Sequence, residues 1–370
     1  MRQFPASPIT ALVDESPDVN LSESIGPDLS VADILGRDGL ADLAGVGLGY
    51  GTSHGDAGLR ALVGRRLGVP GEQVLLTSGA AGALFGVALL HSDGEIVACL
   101  PCYPPMLDAL RGLGAPVVTV SGRFEDGYRI DLEAFRDRLS ARTRLVMAAS
   151  PQNPSGVPIT PEEIDAILAA MDRRCPEALL LVDETFREAT YGGATPAASF
   201  AGRSERVLTC ASLSKAYGAP GLRIGWLTVP DAQLREQLRL AKFNSSICCG
   251  VLDEFLAARL LSRADELLAS RGELMARARA TVERWIGDQG GRLGWLRPEA
   301  GAFCCVRLDP GRFTVHDVRR FHDRLAGQRT AVAHGPWFGD DEHVIRLGLA
   351  YPPPGELEKG LGIIADALRP

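Results

Sequence analysis

Short, unbroken apolar runs recur along the middle of the chain, separated by stretches with helical spacing. The runs are Val74–Leu76, Ile96–Leu100, Val117–Val120, Leu145–Ala149, Leu179–Val182, Val207–Cys210 and Ile224–Val229. Continuous rather than alternating apolar character predicts strands covered on both faces. Helical periodicity falls between most of them, over Ala57–Leu67, Met106–Leu113, Leu132–Leu139 and Glu162–Met171. The last has a full start signal: Thr160 to cap, Pro161 at the first helical position, and Glu163 to close a capping box. Such alternation predicts an α/β fold with a mostly parallel, seven-stranded sheet flanked by helices.

The pattern changes in the last third. A long helical stretch is expected from about Leu252 to Trp285. It is followed by a strand at Phe303–Leu308, a helix at Val315–Leu325, a strand at Val344–Leu349 and a helix at Glu356–Leu368. This reads as a smaller α+β unit. A chain of 370 residues exceeds one ordinary compact core. The expected division is a large domain over residues 41–245, and a connecting helix with a small domain over 246–370. Residues 1–40 hold few clear elements and are expected to pack on the small domain or on a partner subunit.

Composition narrows the class. The chain is 46% hydrophobic and 23% charged, with a formal charge of -7 and no block of one sign. That argues against a nucleic-acid partner. No apolar run reaches transmembrane length, and MRQFPASPITALVDESPD lacks the apolar centre of a signal peptide, so no membrane partner and a cytoplasmic location are expected. The eight cysteines lie mostly in apolar segments, as reduced buried thiols do. Cys99 and Cys102 have the CxxC spacing of redox or zinc sites. No second CxxC or histidine pair accompanies them, so core thiols are expected and no metal.

Candidate chemistry sits at the ends of the expected strands. Residues 212–226 read SLSKAYGAPGLRIGW, with Lys215 before a glycine-rich turn and Arg223 eight residues on. An amine, hydroxyls and a guanidinium in one segment suit covalent catalysis beside a bound anion. Leu75–Ser78 runs into Gly79-Ala-Ala-Gly-Ala83 and a helical pattern, which suits phosphate binding by backbone amides or simply close packing. Tyr103 follows the next strand. Asn153 lies in Ser150-Pro-Gln-Asn-Pro-Ser-Gly156, Asp183 ends the fifth run, and Arg346 lies in Val344-Ile-Arg-Leu-Gly348. Each has a purely structural alternative: a packed tyrosine, a turn, a capping aspartate, an ion-paired arginine.

Taken in order, these motifs resemble the pyridoxal-phosphate (PLP)-dependent aminotransferase class I/II family, the fold type I enzymes of the aspartate aminotransferase superfamily. The resemblance covers about residues 45 to 370. It implies the PLP-dependent transferase fold, a PLP cofactor and a Schiff base on the catalytic Lys215. It implies further that Gly79, Ala80, Ala81, Ser212 and Arg223 hold the phosphate and that Tyr103 stacks on the ring. Asn153 would meet the ring phenolate and Asp183 the pyridine nitrogen. Arg346, with Asn153, would bind the substrate carboxylate. Tyr50, in Gly47-Leu-Gly-Tyr-Gly-Thr52, matches a tyrosine that reaches the neighbouring subunit's phosphate, which implies a homodimer with shared sites. The implied reaction moves the amino group of an L-amino acid to a 2-oxo acid.

Two departures open another outcome. Phe186 stands where typical members carry a tyrosine that donates to the phenolate. In this the chain resembles threonine-phosphate decarboxylase-like and capreomycidine synthase-like members, and it is similar to the latter also around Lys215 and Arg144-Leu-Val. These direct the same carbanion into elimination, cyclisation or decarboxylation. Asn20–Gly26 fits the usual substrate loop of the family poorly. The substrate side chain stays open, with Arg129, Arg187 and Trp337 as candidate contacts.

Overall fold

The computed structural model describes residues 3–14, 16–36 and 39–369. After a two-residue strand, β1 (Val19–Asn20), the apolar runs fold as β2 (Val74–Ser78), β3 (Glu95–Leu100), β4 (Val117–Ser121), β5 (Thr143–Ala149), β6 (Leu179–Asp183), β7 (Val207–Ser212) and β8 (Ile224–Thr228). They form one seven-stranded sheet in the order β2-β8-β7-β6-β5-β3-β4. Only β8 runs against its neighbours; β7, β6, β5, β3 and β4 are mutually parallel.

The reason the runs are continuous is visible in β5. Leu145 and Met147 point into a core built with Leu84, Val87, Met106 and Leu110 of the helices Gly79–His91 and Pro104–Leu113. Val146 and Ala148 point the other way, onto Phe135, Ile164, Ile167 and Met171 of the helices Leu132–Arg138 and Pro161–Arg174. Both faces are thus dry, and each fully buried aliphatic side chain contributes about 1.5–3 kcal/mol. The Pro161–Arg174 helix starts as expected, since Glu163 N donates to Thr160 Oγ1 at 3.2 Å and Thr160 N to Glu163 Oε2 at 2.7 Å. Cys99 and Cys102 pack into opposite cores, and burial pushes the Cys99 thiol up to about 12.

The remaining strands are β9 (Leu293–Leu296), β10 (Phe303–Leu308), β11 (Thr330–Ala331), β12 (Ala333–His334) and β13 (Val344–Gly348). Four of them make an antiparallel sheet, β12-β13-β10-β9, and β1 pairs in parallel with β11. The helices Val315–Gly327 and Pro354–Ala367 cover this region, with Phe321, Leu325, Leu361 and Ile364 in its core beside Val19 and Leu21.

Two expectations needed correction. The stretch from Leu252 to Trp285 is two helices, Val251–Ser262 and Ala264–Gly287, rather than one. Arg263 leaves helical geometry at φ -118°, ψ 19°, and its amide turns back to Leu260 O at 3.1 Å, which tightens the last turn and breaks the axis. The helix Ala232–Ser246 was not anticipated. It buries only Leu238 and Lys242, too thin a stripe to show as periodicity, although Asp231 caps it by accepting from Leu234 N at 2.6 Å. No helix among the described residues is long and apolar enough to cross a membrane.

Candidate active site

The parallel strands end on one edge of the sheet, and a cavity of about 570 Å³ opens there. Crevices at strand carboxyl ends are where open α/β sheets bind ligands. Ala80, Ala81, Tyr103, Asn153, Asp183, Ser212, Lys215 and Arg223 all line it, from the ends of β2, β3, β5, β6 and β7 and the segments that follow them. Leu12, Glu23, Ile25, Asp28 and Tyr351 line it as well.

The anion end is built by β2 and β8 together. Gly79 opens its helix at φ +65°, and its N–H donates to the Arg223 carbonyl at 2.9 Å. A Cβ on Gly79 would stand 2.5 Å from Arg223 Nη2, so only glycine allows the guanidinium this close. The Gly79 amide is therefore spent, contrary to its expected phosphate role, because it ties the helix start to Arg223. The next amides, those of Ala80 and Ala81, lie in the first helical turn and have no acceptor within it. Ser78 offers no side-chain cap there. Free amides, the helix dipole and Arg223 make this end suited to a phosphate dianion. Ser212 sits alongside, its Oγ accepting from Ser214 N at 3.3 Å.

Asp183 ends β6, buried, with its Oδ1 accepting from Thr185 N at 2.9 Å. Burial raises its pKa, while the hydrogen bond from the Thr185 amide and the Lys215 charge act against the rise. A cationic ring nitrogen placed beside it would favour the carboxylate form. Thr185 Oγ1, also on the cavity wall, is buried without a partner.

Lys215 is half-buried on the wall, and its Nζ makes no hydrogen bond among the described residues. Burial lowers its pKa from 10.5 to about 8. Glu23 and Asp28 oppose that shift, and Arg346 and Arg223 assist it. A lysine so placed is neutral often enough to act as nucleophile and base.

Arg346, on β13, is buried and does not itself line the cavity. It stands behind Asn153, donating from Nη1 to Asn153 Oδ1 at 2.9 Å and from Nη2 to Ser22 O at 2.5 Å. With Oδ1 engaged, the NH₂ donors of Asn153, which lines the cavity, are left for another acceptor. Arg346 lies near the Phe303 and Phe338 rings, its Nε lacks a partner, and burial holds its pKa down at about 10. Phe186 forms part of the cavity wall, packed edge-on to Phe303 at 4.7 Å.

The family model for aminotransferase class I and II matches residues 19–364. The chain belongs to this family. It is 34% identical over 324 residues to capreomycidine synthase of Streptomyces vinaceus, covering 86% of this chain and 80% of that one. Over 298 residues it is 32% identical to arginine–pyruvate transaminase of Pseudomonas aeruginosa, covering 76% and 71%. The solved PLP-dependent cyclase OrfR superposes with a TM-score of 0.84 at 26% identity, over 100% of this chain and 98% of that one.

This member is thus a PLP-dependent enzyme of fold type I, and its cavity fits the cofactor. The Ala80 and Ala81 amides beside Arg223 suit a phosphate, and the Thr185 hydroxyl, without a partner among the described residues, suits a further polar group. Other candidates lie elsewhere. Tyr50 is 85% exposed on a loop outside the cavity. Arg187 is buried between Glu184 and Glu188, Arg129 bonds Pro158 O and Glu163 on the surface, and Trp337 stacks on His334. Conversely, Glu23, Asp28 and Tyr351 reach the cavity from segments whose sequence carried no motif. The poor fit of Asn20–Gly26 to the usual substrate loop was the one hint.

Proposed function

We propose that the enzyme transfers the amino group of an L-amino acid to a 2-oxo acid. The observation that carries this reading is the Lys215 amine, unpartnered and lowered to about 8, on the wall of a cavity that Asp183 also lines. When bound, PLP supplies an aldehyde for the amine and an electron sink for a carbanion. Ser212, Arg223 and the Ala80 and Ala81 amides would hold its phosphate, Asp183 its ring nitrogen, Asn153 its phenolate and Tyr103 its ring face. Lys215 Nζ would take the proton from the substrate α-carbon and return it on the far side of the shared nitrogen, to the carbon that the cofactor's aldehyde contributes, which keeps the transfer on one side of the ring. Arg346, through Asn153 or directly after a side-chain shift, would orient the substrate carboxylate.

Tyr50 and the neighbouring Leu48, 78% exposed, would serve a second copy, giving a homodimer with shared sites. In the same reading residues 41–245 form the cofactor domain and 246–370 the small domain, with the N-terminal segment docked on the latter through β1 and β11.

A second reading has a specific observation in its favour. Phe186 offers no hydroxyl where a phenol is usual, and two of the relatives above are named as a synthase and a cyclase. That reading ends in cyclisation, elimination or decarboxylation. Incubating the holoenzyme with single amino acids, with and without pyruvate, separates them. Transamination predicts formation of alanine, dependent on pyruvate and absent in Lys215→Ala. Consumption without acceptor, and with no new amino acid, would reject transamination in favour of the second reading. No consumption of any amino acid would reject both.

A further inference from the structure

The cavity holds two acids that the chemistry above leaves unused. Glu23 and Asp28 line it from the N-terminal segment, and both act by charge on the Lys215 amine. Among the described residues neither carboxylate makes a side-chain hydrogen bond or an ion pair within 4 Å. Asp28 is further held above the usual carboxylate range by burial and by Glu23, with Arg271 and Lys215 pulling the other way. Arg271 does not neutralise it by contact, since its Nη1 donates to Pro27 O at 2.8 Å and its Nη2 is buried without a partner.

The two acids stand on fixed backbone. Leu21 O accepts from Gly348 N at 2.7 Å, and Ser22 O accepts from Arg346. A Cβ on Gly348 would meet Glu23 O at 2.1 Å, so the strand that carries Arg346 packs directly on this segment. Further on, Leu29 N donates to Gly218 O at 2.8 Å, which ties the stretch after Asp28 to the turn that follows Lys215.

The charges on the wall now sort by task. Arg223 serves an anion, Asp183 a ring nitrogen, and Lys215 the reacting carbon. Glu23, half-buried, and Asp28, exposed, remain as two acids on the cavity wall without a cation in contact among the described residues. An acidic side chain would be repelled there, and an apolar one would strip water from both carboxylates without compensation.

We propose that the cavity selects α-amino acids with a cationic side chain, guanidinium or ammonium, and that Glu23 and Asp28 receive that charge. This rests on the reading that the site works on an α-amino acid. Binding is measured on the holoenzyme by calorimetry and by change in cofactor absorbance, using two matched pairs: L-arginine with the neutral L-citrulline, and L-lysine with L-norleucine. The expected result is a preference of tenfold or more for the cation in at least one pair. Glu23→Gln and Asp28→Asn should each reduce that ratio, and the double variant should bring it close to one while cofactor absorbance is retained. No preference in either pair of the wild type, or an unchanged ratio in the double variant, would overturn the proposal while leaving the amino-acid reading intact. Failure of the holoenzyme to bind any amino acid would overturn both.

Discussion

At the scale of single residues, the site holds side chains whose charged form burial disfavours. Lys215 is the clearest, with its pKa lowered from 10.5 to about 8 by burial. Its ammonium is disfavoured in the folded chain and not in the unfolded one. The cost of order 1–3 kcal/mol is therefore fully present below pH 8 and disappears as pH rises through 8 toward 10.5. Lys215→Met in the cofactor-free protein should gain stability over the wild type at pH 7 and lose that gain by pH 10.5. Urea unfolding across this range measures it, and parallel pH profiles would show that the lysine is not strained. The cavity-lining residues that were legible in the sequence share a physical feature: each ends or follows a strand of the seven-stranded sheet, where the chain must turn. Glu23 and Asp28 lack that feature. They reach the cavity only because β1 and the stretch after it dock against β11, β13 and the turn after Lys215.

At the scale of elements, the seven central strands and the helices between them were readable because both faces of the sheet are buried. Leu145, at 0% exposure, shows what that burial contributes. Leu145→Ala should cost about 2–5 kcal/mol, read as a shift in the denaturant midpoint of the holoenzyme. A loss below 1 kcal/mol would mean that the layer under the sheet can collapse around the gap. The helix Ala232–Ser246 escaped for the opposite reason, since most of it faces outward and only Leu238 and Lys242 are buried. The break at Arg263 carries no proline or glycine signal; it is a local tightening of hydrogen bonds that appears only in three dimensions. β9, β11 and β12 are too short for a period to register.

At the scale of the whole molecule, the exposed Tyr50 gives the sharpest test of shared sites. Lys215→Ala and Tyr50→Ala should each depress turnover, the first to background. In hybrid dimers one site collects both changes and the other is intact. Random pairing of the two variants should thus restore about a quarter of the wild-type sites. Co-expression with two affinity tags, followed by assay of the doubly purified hybrid, gives the result. A hybrid no more active than its parents would confine Tyr50 to its own subunit.

The sequence by itself determined the seven-stranded sheet and the order in which polar residues come to its strand ends. Hydrophobic spacing and strand-end chemistry are local properties, and local properties are written in consecutive residues. The tertiary structure decided the rest. It spent the Gly79 amide on Arg223, set Arg346 behind Asn153, and brought two acids from the N-terminal segment to face Lys215. Those relations join parts of the chain that share no pattern, and only the packing of one sheet against the other places them within reach.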